Sequence, residues 1–572
     1  MPNQIETRIL SSLHKVFFTD CPVWENPFLS VLANEPASFQ VAYRLLSHTD
    51  PRFAMKCPIY VQVQSDLPIS LYSVGNLPVV HATCEMQEES RGPGLYPDVL
   101  WPKAVNPPLL AEGYPWNRQI YFEQDEAITL YADCDAWQSL WVVINEEQAS
   151  LVAGEYPVTL RFFCREFGDL MCETTFSVTV LGTELPKQNL IYTNWFHCDC
   201  LADTYDLPIF SDRYFEIFTD YVEKAARNGM NMLLLPAFTP ALDTPEGQER
   251  KTAQLVGVTV EKGTYSFDFS RMKRYLDAAR AAGIEYFEHA HFFTQWGSKA
   301  APKIMATVDG ELRQIFGWHT PATGEAYTAF LCAYLPALVA FLEGEGLHGK
   351  VLFHISDEPS EKNADAYRKA KEIIGNLTQG YMTGDALSHY SFYANGTVET
   401  PIVAIHALDD FLGRCDNLWA YYTSEPTPAN VSNRLITDPA HRNRVLGMQM
   451  YYHNIKGFLH WGYNYYYDVQ SHGLFDPLTH PCGFMGHPGS SYLVYPHRNG
   501  TALQSARQKV FYEAINDMRA LERLESLVGR EKTIALIERH FGKVDFETIP
   551  ATAEQLLHFR AEVNLAIANA IL

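Results

Sequence analysis

The run Val351-Leu352-Phe353-His354-Ile355-Ser356-Asp357-Glu358-Pro359 is apolar at its start and ends in two adjacent carboxylates and a proline. Bounded by Gly349 and Pro359, it reads as a short strand covered on both faces, as in a parallel sheet flanked by helices. Barrels of such strands carry their chemistry at the strand ends, which makes Asp357 and Glu358 the candidate catalytic residues. A competing reading has Asp357 capping a helix that starts near Ser360, with Glu358 in a first turn where the dipole favours negative charge.

Outward from this run the same rhythm continues. After Leu185-Pro186-Lys187 the sequence alternates apolar runs with amphipathic segments, and eight candidate strands fall at 190–196, 232–238, 284–292, 351–356, 381–383, 402–407, 418–422 and 458–463. Between them, 213–228 has apolar residues at helical spacing and ends in Gly229, and 271–282 repeats the device with Gly283. The alternation predicts an α/β protein with a (β/α)8 TIM-like barrel over 188–528. Ahead of it, short alternating runs such as Ile59-Tyr60-Val61-Gln62-Val63 and Phe176-Ser177-Val178-Thr179-Val180 predict an N-terminal β-sandwich over 1–187. In that region 92–98 and 152–157, rich in glycine and proline, read as loops. The tail is helix-patterned, with Arg519 and Glu522 as an opposite-charge pair at helical spacing, and predicts a C-terminal helical extension over 529–572.

A chain of 572 residues with 47% hydrophobic content buries large cores and divides into two or three domains. Its 44 basic against 67 acidic residues give a formal charge of -23, which repels phosphate backbones and anionic lipid and argues against nucleic acid and membrane partners. The start, Met1-Pro2-Asn3-Gln4-Ile5-Glu6, shows no basic segment followed by an apolar one, and no uninterrupted apolar stretch reaches membrane-spanning length, so a cytoplasmic protein is expected. Eleven cysteines at unrelated spacings read as reduced thiols. His197-Cys198-Asp199-Cys200 has ligand-type residues but no second Cys/His pair at zinc spacing, so no metal and no cofactor are expected. The helical tail leaves an oligomer open.

Most candidate strands end in aromatic and polar residues. Asn194, Trp195 and His197 close the first; His289 and Trp296 bracket the third; Trp419 and Tyr421 lie on the seventh; Trp461, Tyr463 and Asn464 end the eighth. Aromatic rings pack on the apolar faces of pyranoses while amides and carboxylates take the hydroxyls, so this rim predicts a sugar site. A glycosidase needs a proton donor and a group that stabilises positive charge at the anomeric carbon. Asp357 and Glu358 supply both only where the strand gives way to a loop, because neighbours on a regular strand point to opposite sides. Two further readings remain open: Glu358 as acid/base with Glu425 as a covalent nucleophile, and a carbohydrate-binding protein without turnover.

Ser356-Asp357-Glu358-Pro359, then Gly457-Phe458-Leu459-His460-Trp461-Gly462-Tyr463-Asn464, then Tyr492-Leu493-Val494-Tyr495-Pro496 with Ser505-Ala506-Arg507, jointly resemble glycoside hydrolase family 123 and relatives that carry the domain of unknown function 4091. The segments 94–98, 139–143 and 154–156 resemble that family's N-terminal domain. The chain departs from the pattern at Gly486-His487-Pro488-Gly489, where relatives show an acidic residue beside glycine. The resemblance implies an exo-acting β-N-acetylgalactosaminidase whose nucleophile is the sugar's own acetamido oxygen. It implies that Asp357 orients and stabilises the acetamido group while Glu358 protonates the leaving oxygen and then activates water, with an N-acetylgalactosamine-containing oligosaccharide or glycoconjugate as partner.

Overall fold

The computed structural model describes residues 5–46, 56–81, 91–103, 127–295, 297–359, 361–375, 377–378, 380–423, 431–548 and 551–571. Its centre is a closed barrel of eight parallel strands, in the order in which they follow one another along the chain. They are Ile191–Asn194, Met232–Leu235, Tyr286–His289, Val351–Phe353, Met382–Leu387, Thr400–Ala404, Trp419–Tyr421 and Gly457–His460. Each coincides with one of the apolar runs expected to form it. Side chains alternate as the pleat requires: Met232 and Leu234 join Leu352, Ile402 and Trp419 inside the barrel, while Leu233 and Leu235 pack outward with the helices.

The crossovers are less regular than the strands. The helix expected over 213–228 runs Asp212–Arg227, with Ser211 accepting from the Tyr214 amide and Gly229 at φ 87° ending it. Ser270–Ala281, Glu325–Gly344 and Ala440–Tyr452 are long crossover helices, whereas the sixth crossover holds only the 3-10 turn Ile405–Asp410. Two hairpins that the sequence reading did not register, Gly257–Glu261 with Thr264–Asp268 and Ile304–Val308 with Glu311–Phe316, pair into a four-stranded sheet after the second and third barrel strands. Contrary to the expectation of no membrane-length apolar stretch, Glu325–Gly344 is long and apolar enough to cross a membrane. Tyr327, Phe330, Tyr334 and Leu338 on one side of it are buried in the core shared with the barrel's outer face, while Ala329, Cys332 and Ala340 are exposed.

The N-terminal part forms a seven-stranded and a five-stranded sheet whose facing residues, among them Phe39 and Tyr43 against Phe176 and Phe162, share one apolar core. Both supposed loops there are strands. In Gly94–Pro102, Pro97 pairs with Asn76 at a register shift that follows Gly75. In Gly154–Cys164, Pro157 lies beyond Thr159, the last residue paired with the neighbouring strand Lys56–Gln64. The seven-stranded sheet is finished by two strands from after the barrel, Tyr495–Pro496 and Ala502–Ser505, the latter pairing with Gly94–Pro102. Helices Ala506–Val528, Arg530–Phe541 and Ala553–Ile571 close the chain. Arg519 does not make the expected surface pair with Glu522 but is buried, donating to the carbonyl of Pro186 at 2.9 Å and to Asn516.

Candidate active site

The fourth barrel strand stops at Phe353, and from there the parallel ladder no longer satisfies its amides. Asp385, on the fifth strand, takes their place: its carboxylate accepts from the amides of Ile355 at 3.0 Å and Ser356 at 3.2 Å, and from Tyr367. On the other side the amides of Phe292 and Phe293 donate to the carbonyls of His354 and Ile355, and the Ser356 hydroxyl donates to the Thr294 carbonyl at 2.9 Å. The segment leading to the carboxylate pair is thus held from both neighbouring strands. Glu358 then adopts φ 43°, a left-handed conformation costly for a residue with a side chain. This turn takes the carboxylates out of the regular strand pleat. Among the described residues the next helical turn is Glu361–Asn363, beyond both carboxylates.

Asp357 is half-buried and densely surrounded by protein although its surface is not fully closed, while Glu358 is exposed and accepts from the Tyr421 hydroxyl at 2.8 Å. Burial, followed by the charges of Glu358 and Asp385, pushes Asp357 well above the usual carboxylate range, against a lowering by His354.

Beneath the pair lies a buried charged layer. His354 bridges two carboxylates, with Nε2 2.9 Å from Glu288 and Nδ1 3.2 Å from Asp385. Burial by itself would lower the imidazole, but these two hydrogen bonds hold it at about 10, so it stays protonated. Glu288 also accepts from the Trp195 indole at 2.9 Å and from Thr193. His291 stacks on His354, with ring centroids 4.6 Å apart, and burial together with that cation keeps it neutral. Ligand atoms of His291, His354 and Asp385 lie within 4.8 Å of one another, a spacing open to a metal ion, but both nitrogens of His354 and both oxygens of Asp385 are already committed to hydrogen bonds.

Of the residues expected at the site, Tyr421 contacts the pair directly and Trp195 belongs to the layer beneath it. Trp461 ends the eighth strand half-buried, packed by Tyr465 and Phe484. Others are turned to structural work. Asn194 accepts from Arg434 at 2.7 Å. Asn464 clasps the backbone of His197, whose ring lies between the Trp461 carbonyl and Arg250 and is lowered to about 3 by burial. Tyr463 donates to the Tyr221 carbonyl. His289 points outward, against Ala290 O and Tyr334, and Trp419 fills the barrel floor, its Cβ-less neighbour Gly457 lying against the indole. Asp199 is paired with Arg250 at 2.7 Å and Cys200 Sγ accepts from the Tyr466 amide, so the His-Cys-Asp-Cys run is a packed helix start. Trp296 and Glu425 lie outside the described residues.

The description "Glycoside hydrolase 123, catalytic domain" matches residues 195–524, the span from the end of the first barrel strand into the long helix after the eighth. The chain belongs to glycoside hydrolase family 123. It is therefore a glycoside hydrolase. A family 123 glycoside hydrolase from Clostridium perfringens, whose solved structure concerns glycolipid glycan hydrolysis, shares its fold, with a TM-score of 0.69 at 13% identity over 99% of this chain and 98% of that one. Beta-glucuronidases from Bacteroides uniformis and Ruminococcus gnavus are far more distant. The first has a TM-score of 0.29 at 9% identity over 90% of this chain and 50% of its own, and the second 0.28 at 9% over 89% and 68%. Comparison with curated proteins finds no match.

Glu288, His291, His354 and Asp385 were not among the residues singled out from sequence. Glu288 did leave a trace: it is a carboxylate at an inward position of a barrel strand, where an unpaired charge would be costly.

Proposed function

We propose that this family 123 hydrolase releases terminal β-linked N-acetylgalactosamine by retaining, substrate-assisted catalysis. The observation that carries the reading is the adjacency of Asp357 and Glu358 on one strained turn, with Asp357 drawn inward and Glu358 outward. In the free enzyme the surroundings of Asp357 favour its protonated form. An acetamido N–H needs an acceptor, so its arrival favours ionised Asp357 and passes the proton to Glu358. The acetamido oxygen then attacks the anomeric carbon, the glycosidic bond breaks, and Glu358 protonates the leaving oxygen. Glu358 next takes a proton from the water that opens the oxazolinium-like ring, giving retention. The ring closes within the sugar, so no second carboxylate is required across it. Trp461 offers an aromatic face to the pyranose.

The fold is read in the same terms: the barrel as a (β/α)8 variant carrying the chemistry, and the two N-terminal sheets as a β-sandwich beside it. The ten described cysteines are free thiols, which suits a reducing compartment, and a cytoplasmic enzyme trimming short oligosaccharides is the setting we propose. The glycolipid glycans associated with the clostridial enzyme are a second substrate class of the same chemistry.

A panel of chromogenic β-glycosides tests substrate class and mechanism together. Hydrolysis of the N-acetyl-β-galactosaminide, with none of the β-galactoside that lacks the acetamido group, is expected; equal cleavage of both would sink the substrate-assisted reading. Asp357→Asn and Glu358→Gln should each lower kcat by about 10²- to 10⁴-fold.

A further inference from the structure

Asp385 belongs to the fifth barrel strand, Met382–Leu387, and is fully buried. Its carboxylate meets only donors: the amides of Ile355 at 3.0 Å and Ser356 at 3.2 Å, the Tyr367 hydroxyl, and His354 Nδ1 at 3.2 Å. Burial raises Asp385 above the usual carboxylate range, opposed by these donors. Glu288, on the third strand, likewise meets only donors, from Thr193, Trp195 and His354 Nε2. Carboxyl groups that only accept are ionised, so the layer holds two anions and, at His354, one cation. Among the described residues no second cation forms an ion pair with either carboxylate. One negative charge is therefore left over in a fully buried layer, an arrangement that costs stability. Around Asp357 stand Glu358, Asp385 and His354, with Tyr421 reaching in from the seventh strand.

We propose that Asp385 is a positioning residue for the reaction at Asp357–Glu358: it fixes the peptide on which Asp357 stands and, with Glu288, keeps beneath it an excess negative charge that retains the Asp357 proton until substrate binds. The first part acts through the main chain. With the fourth strand ended at Phe353, the amides of Ile355 and Ser356 have Asp385 as their acceptor, and Asp357 is the next residue. The second acts through space, since a carboxyl group beside unbalanced negative charge releases its proton only at higher pH. The proton retained on Asp357 is the one that passes to Glu358 when the acetamido N–H arrives, and from Glu358 to the leaving oxygen as the glycosidic bond breaks. Asp357 is then the anion that accepts the N–H, and no further reactant enters. Glu288 bonds no amide of the segment, so it shares the charge with Asp385 but not the positioning.

The proposal rests on the substrate-assisted reaction at Asp357–Glu358, and the test separates the two. Steady-state kinetics are measured as a function of pH for wild type, Asp385→Asn, Glu288→Gln and Glu358→Gln, with the nitrophenyl β-glycoside that wild type cleaves fastest. The temperature is one at which circular dichroism shows each variant folded. Asp385→Asn and Glu288→Gln each remove the excess charge, and both should move the alkaline limb of kcat/KM to lower pH by about one pH unit. Asp385→Asn alone should also lower kcat at its own optimum, by about tenfold, with KM changed by less than about twofold. A part that was only structural would lower the melting temperature and leave the alkaline limb where it is. Glu288→Gln keeps the charge test valid if Asp385→Asn fails to fold. Alkaline limbs that stay in place would overturn the retention of the proton, and an Asp385→Asn optimum with wild-type kcat would overturn the positioning. Full turnover by Glu358→Gln would instead overturn the location of the reaction, whatever the other variants do.

Discussion

At His354 an imidazole with an ordinary pKa near 6.5 is held at about 10 by Glu288 and Asp385. Because the folded value is raised, the stability this charge contributes is present in full below about 6.5 and is lost as pH rises toward about 10. His354→Gln, which strands two buried carboxylates, should cost about 3–5 kcal/mol at neutral pH. The gap in melting temperature between wild type and variant should narrow as the pH is raised through that window; a constant gap would mean that the imidazole is not charged. One layer higher, Tyr421→Phe removes the hydroxyl that bonds Glu358 and should lower kcat/KM about tenfold, read by steady-state kinetics with no change in melting temperature. The pair stands out as a candidate in the sequence because two carboxylates directly follow an apolar strand. His354 does not, since a histidine within an apolar run looks like any buried histidine until the strands beside it bring up Glu288 and Asp385. Asn194, Tyr463 and Asn464 mislead for the opposite reason: amides and hydroxyls at strand ends also fasten loops, and spacing along the chain does not tell the two uses apart.

The barrel strands can be read from sequence because strands buried on both faces are rich in apolar residues, even where Glu288 and Asp385 interrupt them. The hairpins Gly257–Glu261 with Thr264–Asp268 and Ile304–Val308 with Glu311–Phe316 escape notice because they are largely solvent-facing and half polar, the composition of a loop. The strands around Pro97 and Pro157 are hidden by their prolines, which partners far away in sequence make harmless. The seventh and eighth strands illustrate how packing selects residues at this level. Trp419 fills the barrel floor because Gly457, directly opposite in register, has no side chain; a Cβ there would lie 2.1 Å from the indole. Gly457→Ala is expected to destabilise by at least about 1–3 kcal/mol in denaturant unfolding, and Trp419→Phe in the same chain to restore part of the loss.

Across the whole molecule, buried ion pairs tie parts distant in sequence. Arg560 of the last helix binds Glu35 beside the N-terminal sheets at 2.7 Å and Asp517 of the helix Ala506–Val528 at 2.9 Å. Arg444 of the crossover helix Ala440–Tyr452 binds Asp517 at 2.8 Å and Glu513 at 2.9 Å, and Glu513 also accepts from the Ser38 amide. Arg560→Ala leaves Glu35 and part of Asp517 unpaired and should cost about 3–5 kcal/mol in chemical denaturation, with kcat on the folded enzyme unchanged. Such closures were invisible in the sequence, where Arg560 and Glu35 are two charges among many. The strand Ala502–Ser505, which completes the seven-stranded sheet, has a consequence for biosynthesis. While the ribosome is still making the barrel, Gly94–Pro102 waits as an unpaired edge, a template for pairing with another nascent chain. The N-terminal sheet can be completed only after the barrel has been made, so its last strands are added late in synthesis.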